Sequence, residues 1–223
     1  MCPKILGGRE VRVRSVIDRF VRDGTAVART DGSLHRLFPV ASSPAEGEAL
    51  RGWVVREGAT QTIEIGLGYG ISALNICAGL LENADPTARH VAIDPYQATR
   101  FAHCGLQFLE DAGVAELVEH RAEAQIALPR FLGEARRFHL GFVDGNHRFD
   151  GVFLDLILLG QLVRPGGIVF LDDYHLPAIG RAAAFCLTNL GWTLEEVSDT
   201  HHWAVLRTSR FPDTRSYDYY VAF

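Results

Sequence analysis

The chain is nearly without lysine: Lys4 is the only one among 22 Lys and Arg residues. That bias says nothing firm about function, but other scarcities exclude more. The longest apolar run, Val152–Val163, is too short and too interrupted to cross a bilayer. Met1–Gly8 lacks the apolar centre of a secretory leader. Cys2, Cys77, Cys104 and Cys186 are scattered without CxxC spacing, so all four are read as reduced thiols of a cytoplasmic protein. Cys77 and Cys186 lie in apolar helical patterns and are expected in the core. A net charge of -5 leaves no electrostatic footprint for nucleic acid. The one arginine-rich stretch, Arg9, Arg12, Arg14, Arg19 and Arg22, alternates with Val and Ile and reads as a solvated helix face. There is no internal repeat and no low-complexity tract.

What is present is an ordinary globular balance, 48% hydrophobic and 22% charged over 223 residues. It fits one large domain, residues 43–223, with a small N-terminal appendage, residues 1–42, expected to serve substrate or oligomer contacts. In the appendage Val11–Val21 reads as an amphipathic helix and Asp31-Gly32 as a turn. Ser43-Pro44-Ala45-Glu46 carries helix-start signals for a helix to about Val55. From Thr62 onward short apolar runs alternate with helical stretches. Strands are expected at Thr62–Ile65, Val91–Ile93, Leu117–His120, Phe138–Val143 and Ile168–Leu171. Helices are expected at Ile71–Glu82, Ala98–Ala112, Ala124–Leu132, Gly151–Val163 and Ala178–Leu190. The alternation predicts a parallel sheet with helices on both faces. Arg164-Pro165-Gly166-Gly167 reads as a turn. Thr193–Val197 and Trp203–Arg207 have only a short polar link between them, so they are expected to pair antiparallel.

Glu64-Ile-Gly66-Leu-Gly68-Tyr-Gly70 follows a strand and opens a helix. Glycines there let the backbone approach a ligand, and the helix start offers free N–H groups. The spacing is GxGxG, without the third glycine of the dinucleotide loop. Asp94 ends the second strand, where an acid accepts ribose hydroxyls or caps the next helix. Ala122, Glu123 and Ala124, after the third strand, lie where an adenine ring would rest.

Asp144 follows one apolar run, and Asp172 and Asp173 follow another, 28 residues on. If those runs are neighbouring parallel strands, three carboxylates share one sheet edge, where open α/β sheets bind ligands. Each close pair then costs about 4 kcal/mol in a partly screened setting. Either one carboxylate holds a proton, or a divalent cation sits among them. Taken singly, Asp172 and Asp173 also read as caps of the helix after Pro177. Asp155 lies inside an otherwise apolar helix and needs a hydrogen-bond partner. His201-His202 begins the last strand and is expected on opposite faces, in surface or packing roles.

Ser43–Gly47, Ile63–Gly66, Gly70–Ala73 and Ala92–Asp94, with the βα order and closing hairpin, resemble the class I S-adenosylmethionine (SAM)-dependent O-methyltransferases. The likeness is to those related to catechol O-methyltransferase, and to the macrolide-sugar (macrocin-type) enzymes. The resemblance implies a Rossmann-like fold with a seven-stranded, mostly parallel sheet. It puts Ser72 on the methionine carboxylate, Glu64 beneath the methionine end and Asp94 on the ribose, with Gly66, Gly68 and Gly70 lining the loop. It makes Asp144, Asp172 and Asp173 ligands of Mg²⁺ or another divalent cation. A small hydroxylated substrate at that cation would lose its proton and attack the methyl in line. His147 occupies the place of the catalytic lysine of the catechol enzymes; His175 falls at the histidine of Asp-Asp-x-His in the macrolide-sugar enzymes. Either is a candidate base, with slight preference for His175, the alternative for His147 being to line the metal site through water. Gly-Asn between Asp144 and His147, and Asp at 173, lean away from a catechol pocket and towards natural-product tailoring. Family members often form homo-oligomers. A metal-independent methyltransferase and an NAD(P)-dependent oxidoreductase are the alternatives.

Overall fold

The computed structural model describes residues 7–223, so Cys2, Lys4 and all of Met1–Gly8 but its last two residues lie outside the described residues. In chain order the elements are α1 (Gly8–Asp23), β1 (Thr25–Val27), β2 (Leu34–Arg36), α2 (Pro44–Arg56), β3 (Gln61–Ile65), α3 (Ile71–Asn83), β4 (Arg89–Ile93) and α4 (Cys104–Ala112). Then come β5 (Val118–Arg121), α5 (Ala124–Gly133), β6 (Phe138–Val143), α6 (Phe149–Leu162), β7 (Val163–Leu171), α7 (Pro177–Asn189), β8 (Thr193–Ser198) and β9 (Trp203–Arg207). Seven strands form the expected α/β sheet in the order β5-β4-β3-β6-β7-β9-β8, with the closing hairpin antiparallel. No helix among the described residues is long and apolar enough to cross a membrane.

The chain forms two compact units. One comprises the chain up to Thr60 together with Leu67–Ala122. Its α1 presents Val13, Val16 and Phe20 at helical spacing, and Phe20 packs tilted on Phe108 of α4 at 4.9 Å. Burying such a side chain stabilises by about 1.5–3 kcal/mol. The arginines of α1 are not simply a solvated face. Arg19 pairs with Asp111 at 2.7 Å and Arg12 donates to the Asp111 carbonyl at 2.6 Å, tying α1 to α4. The Ser43 hydroxyl accepts the Glu46 N–H at 3.2 Å and Pro44 opens α2, as the sequence signals predict. The Asp31 turn joins β1 to β2, which pair antiparallel as a short hairpin with no strand pattern in its sequence. Helix α4 corrects the expectation of a helix from Ala98: it starts at Cys104. Ala102 and His103 adopt left-handed backbone (φ 44 and 60), and Gln97 turns inward, so the segment before them is a series of turns.

The other unit comprises Gln61–Gly66 and Glu123–Phe223. Here β3 pairs β6 and β6 pairs β7, both parallel. Phe142 packs edge-on to Phe170 at 5.7 Å, and Phe170 against Trp203 at 5.0 Å, an apolar row across the middle strands. The expected turn at Arg164–Gly167 lies inside β7 instead. Val163 already pairs with Phe138, and the irregularity is absorbed as a register shift with Gly166 at φ 74. The tail returns to α7, where the Asn189 side chain bonds both the N–H and the carbonyl of Val221 at 2.8 Å.

Candidate functional site

In the first unit the loop Leu67–Gly70 is pinned by the end of β4. Asp94, only 3% exposed, accepts at Oδ2 from the Gly68 N–H at 2.7 Å and from Gln97 Nε2 at 3.0 Å. Its Oδ1 accepts from the Tyr96 N–H at 2.7 Å. A carboxylate has about four lone-pair sites, so three are in use and one is open to a hydroxyl. Gln97 also donates to the Gly68 carbonyl at 2.7 Å, closing a small ring of bonds around the loop. Gln97 falls in the short link between Asp94 and the helix expected from Ala98, where no local pattern marks it. Gly70 starts α3 at φ 83, and a Cβ there would meet the Gly105 carbonyl at 3.0 Å. Ser72 is buried in the first turn of α3. Tyr69 is buried in the loop, with its hydroxyl 3.3 Å from His35 Nδ1; burial raises its pKa, with Cys104 adding and Arg100 opposing. Ala122 is exposed just after β5.

In the second unit the three aspartates do stand at the ends of paired parallel strands. Val143 is level with Leu171, so Asp144 and Asp172 each begin the segment beyond the same row. Asp144 donates its N–H to Ile65 O at 2.9 Å, and Asp172 to Val143 O at 3.1 Å. Glu64 is fully buried in β3. Gly66 has φ 103, and a Cβ on it would lie 2.0 Å from the Asp144 carbonyl oxygen. Only glycine fits that approach. Glu123 is exposed and precedes α5, and Ala124 is its half-buried first residue.

Ligand-type atoms of Asp144, His147 and Asp173 lie within 4.8 Å of one another. The imidazole of His147 sits between the two carboxylates, Nε2 3.5 Å from Asp144 Oδ1 and Nδ1 3.4 Å from Asp173 Oδ2. Asp172 is not in that group; its Oδ1 accepts the Asp173 N–H at 2.6 Å. Asp173 has left-handed backbone, φ 51, and its Oδ1 lies 3.8 Å from His175 Nδ1. Burial is the main reason that the Asp144 carboxyl is pushed up to about 7, with the charges of Asp172 and Asp173 adding and His147 opposing. The Asp144 partner raises the His147 imidazole above its ordinary value.

His202 was expected on a strand. It lies instead in the β8–β9 turn at φ 64, its ring 4.0 Å from that of His175 and its carbonyl accepting the Tyr174 N–H at 2.6 Å. That contact joins positions far apart in sequence, and no local pattern signals it. His201 is exposed. Asp155, buried in α6, does not find its expected partner. Its Oδ1 has no hydrogen bond, and burial alone raises the carboxyl to about 7. Tyr217 in the tail is fully exposed. Two surface hollows of about 550 and 450 Å³ open in the first unit, beside Arg89 and Arg29. No candidate site residue lines either, and the former lies at the start of β4, away from Asp94.

Comparison with known proteins adds to this geometry. A protein family described as a methyltransferase domain matches residues 63–174. Tricin synthase 2 of Oryza sativa subsp. japonica is 30% identical over 145 residues, 63% of this chain and 47% of that protein. Tricin synthase 1 of the same organism is 31% identical over 146 residues, covering 62% and 55%. The chain spans about half the length of these curated relatives. Among solved structures, an O-methyltransferase from Bacillus cereus in complex with SAH superposes with a TM-score of 0.66 at 17% identity, over 94% of this chain and 93% of that one. TomG from Streptomyces achromogenes, an O-methyltransferase involved in tomaymycin synthesis and solved with SAM, gives 0.65 at 21% identity over 91% and 90%. At such identities the likeness establishes the fold.

Proposed function

Because this chain belongs to the methyltransferase-domain family, we propose that it is a SAM-dependent O-methyltransferase. It moves the methyl group to a hydroxyl of a small molecule, a natural-product sugar or phenol, assisted by a divalent cation, Mg²⁺ or another. The observation that carries this reading is the grouping of Asp144, His147 and Asp173 beyond paired parallel strands.

The donor set fits a cation. Ligands on opposite sides of an ion bound at about 2.1 Å stand about 4.2 Å apart, so a 4.8 Å group closes on one by a few tenths of an ångström. A carboxyl raised to about 7 by burial and by two more acids is also one that a cation would return to its ionised form. Asp144 and Asp173 would hold the cation, with Asp172 beside them, and its charge would lower the pKa of a hydroxyl set against it. The chain's residues do the rest. Asp94 takes a ribose hydroxyl on its open lone pair, and a second by releasing the neutral Gln97 amide. Ser72 and the N–H groups opening α3 hold the methionine carboxylate. Glu64 faces the ammonium, and Ala122, Glu123 and Ala124 flank the adenine. His175 or His147 takes the hydroxyl proton on a ring nitrogen while the oxygen takes the methyl and the sulfonium becomes a thioether. Residues 1–42 supply substrate or oligomer contacts, and the buried thiols Cys77, Cys104 and Cys186 suit a cytoplasmic protein.

One observation favours a metal-independent version of the same transfer. A protonated His147 between Asp144 and Asp173 offsets their charge without a cation. Two experiments separate these readings, the first for the methyltransferase and the second for the cation. Thermal shift with SAM, NAD⁺ and Mg²⁺ is expected to show stabilisation by SAM, whereas stabilisation by NAD⁺ alone would sink the methyltransferase reading. Asp144→Ala is expected to abolish cation-dependent turnover. Turnover indifferent to that change and to EDTA would favour the metal-independent version.

A further inference from the structure

We propose that His147 is itself a ligand of the cation, and that the site therefore prefers first-row ions that accept imidazole nitrogen (Mn²⁺, Fe²⁺, Co²⁺, Ni²⁺, Zn²⁺) over Mg²⁺. The inference rests on the cation reading above and sharpens it.

The sequence pointed to an all-oxygen set of three aspartates; the grouped ligand atoms are those of two aspartates and one histidine. Asp172 instead accepts the backbone N–H of Asp173. Both ring nitrogens of His147 face carboxylates, at 3.5 and 3.4 Å. The ring thus lies within reach of the same two carboxylates that would share the ion. The loop that carries the ring is itself held: the Arg148 N–H donates to Asn146 Oδ1 at 2.9 Å, and Gly151 leaves room for the Asn146 side chain, which a Cβ would meet at 2.6 Å. Mg²⁺ prefers oxygen and keeps its waters, whereas imidazole suits the later first-row ions. The assignment also divides the two histidines. His175, 3.8 Å from the far oxygen of Asp173 and with its ring tilted against that of His202, stays outside the ligand set as the proton acceptor.

Pulsed EPR on the full chain loaded with Mn²⁺ tests this directly. Wild type is expected to show ¹⁴N modulation from a coordinated imidazole; His147→Ala is expected to lose it and His175→Ala to keep it. In calorimetric titrations wild type is expected to bind Mn²⁺ at least about tenfold more tightly than Mg²⁺. His147→Ala should lose about 10–100-fold in Mn²⁺ affinity while Mg²⁺ affinity moves less than about threefold. The His147 side chain is 44% exposed, so the variant should fold, as retained SAM binding checks. Bound Mn²⁺ without nitrogen modulation, or modulation that survives His147→Ala, overturns the inference and leaves the cation reading standing. No binding of either ion at millimolar concentration overturns both.

Discussion

Gly66→Ala is the sharpest structural perturbation available. The new Cβ would lie 2.0 Å from the Asp144 carbonyl oxygen and 2.6 Å from its carbon, both main-chain atoms. Neither can swing aside like a side chain, so the strand ends must separate by about an ångström to reach ordinary contact distance. The Asp144 N–H to Ile65 O bond, 2.9 Å, spans that same gap. A side chain at φ 103 costs about 1–3 kcal/mol, and overpacking a fixed interior costs about 1–3 kcal/mol more. The expected loss is therefore about 4 kcal/mol, which for a chain of this size lowers Tm by about 8–16 °C. Urea titration followed by circular dichroism measures it. Gly133→Ala is the control, since nothing lies within 4 Å of a Cβ there. Because Asp144 moves with its carbonyl, Mn²⁺ affinity should fall as well, beyond what lost stability explains. A Gly66→Ala protein within about 1 kcal/mol of wild type, with cation affinity intact, would refute the reasoning.

Three further outcomes follow from the charges. Asp155 is raised from 3.8 to about 7, so the native carboxyl binds its proton more tightly than the unfolded one. Its contribution is complete below about pH 4 and is lost as pH rises through 7, about 4 kcal/mol in all. Asp155→Asn should remove that share of the slope of stability against pH between 4 and 7, and an unchanged slope would contradict the assignment. Asp144, also raised to about 7, must lose its proton to bind a cation. Affinity should rise about tenfold per pH unit for the Asp144 proton, and more steeply where His147, also raised, gives up its own, with proton release seen by calorimetry in buffers of different ionisation enthalpy; a flat profile would count against Asp144 as a ligand. Asp94→Asn should weaken SAM binding about 10–100-fold, by equilibrium dialysis, through loss of a charged acceptor. A change under threefold would place the ribose elsewhere.

Much of the fold was legible because its signals are local. Phe138–Val143 and Trp203–Arg207 are apolar runs closed by polar residues, and the strands have those bounds. The register that brings Asp144 level with Asp172 follows from two parallel strands ending alike. What sequence could not show depends on partners far along the chain. Helix α4 starts late because Gln97 turns to Asp94 and the glycine loop, although its neighbours favour helix. The Pro165-Gly166-Gly167 signal is real, but Val163 still finds Phe138, so a turn became an irregular strand. His147 appeared from sequence as a base competing with His175. Only the fold of the loop places it between two carboxylates, and only the β8–β9 turn brings His202 onto His175.

The most direct measurement is a crystal structure of the full chain grown with SAH and Mn²⁺, with anomalous data collected at the manganese edge. The account predicts one strong peak within about 2.5 Å of carboxylate oxygens from both Asp144 and Asp173. A peak elsewhere, or ordered SAH with no manganese at those residues, would contradict it.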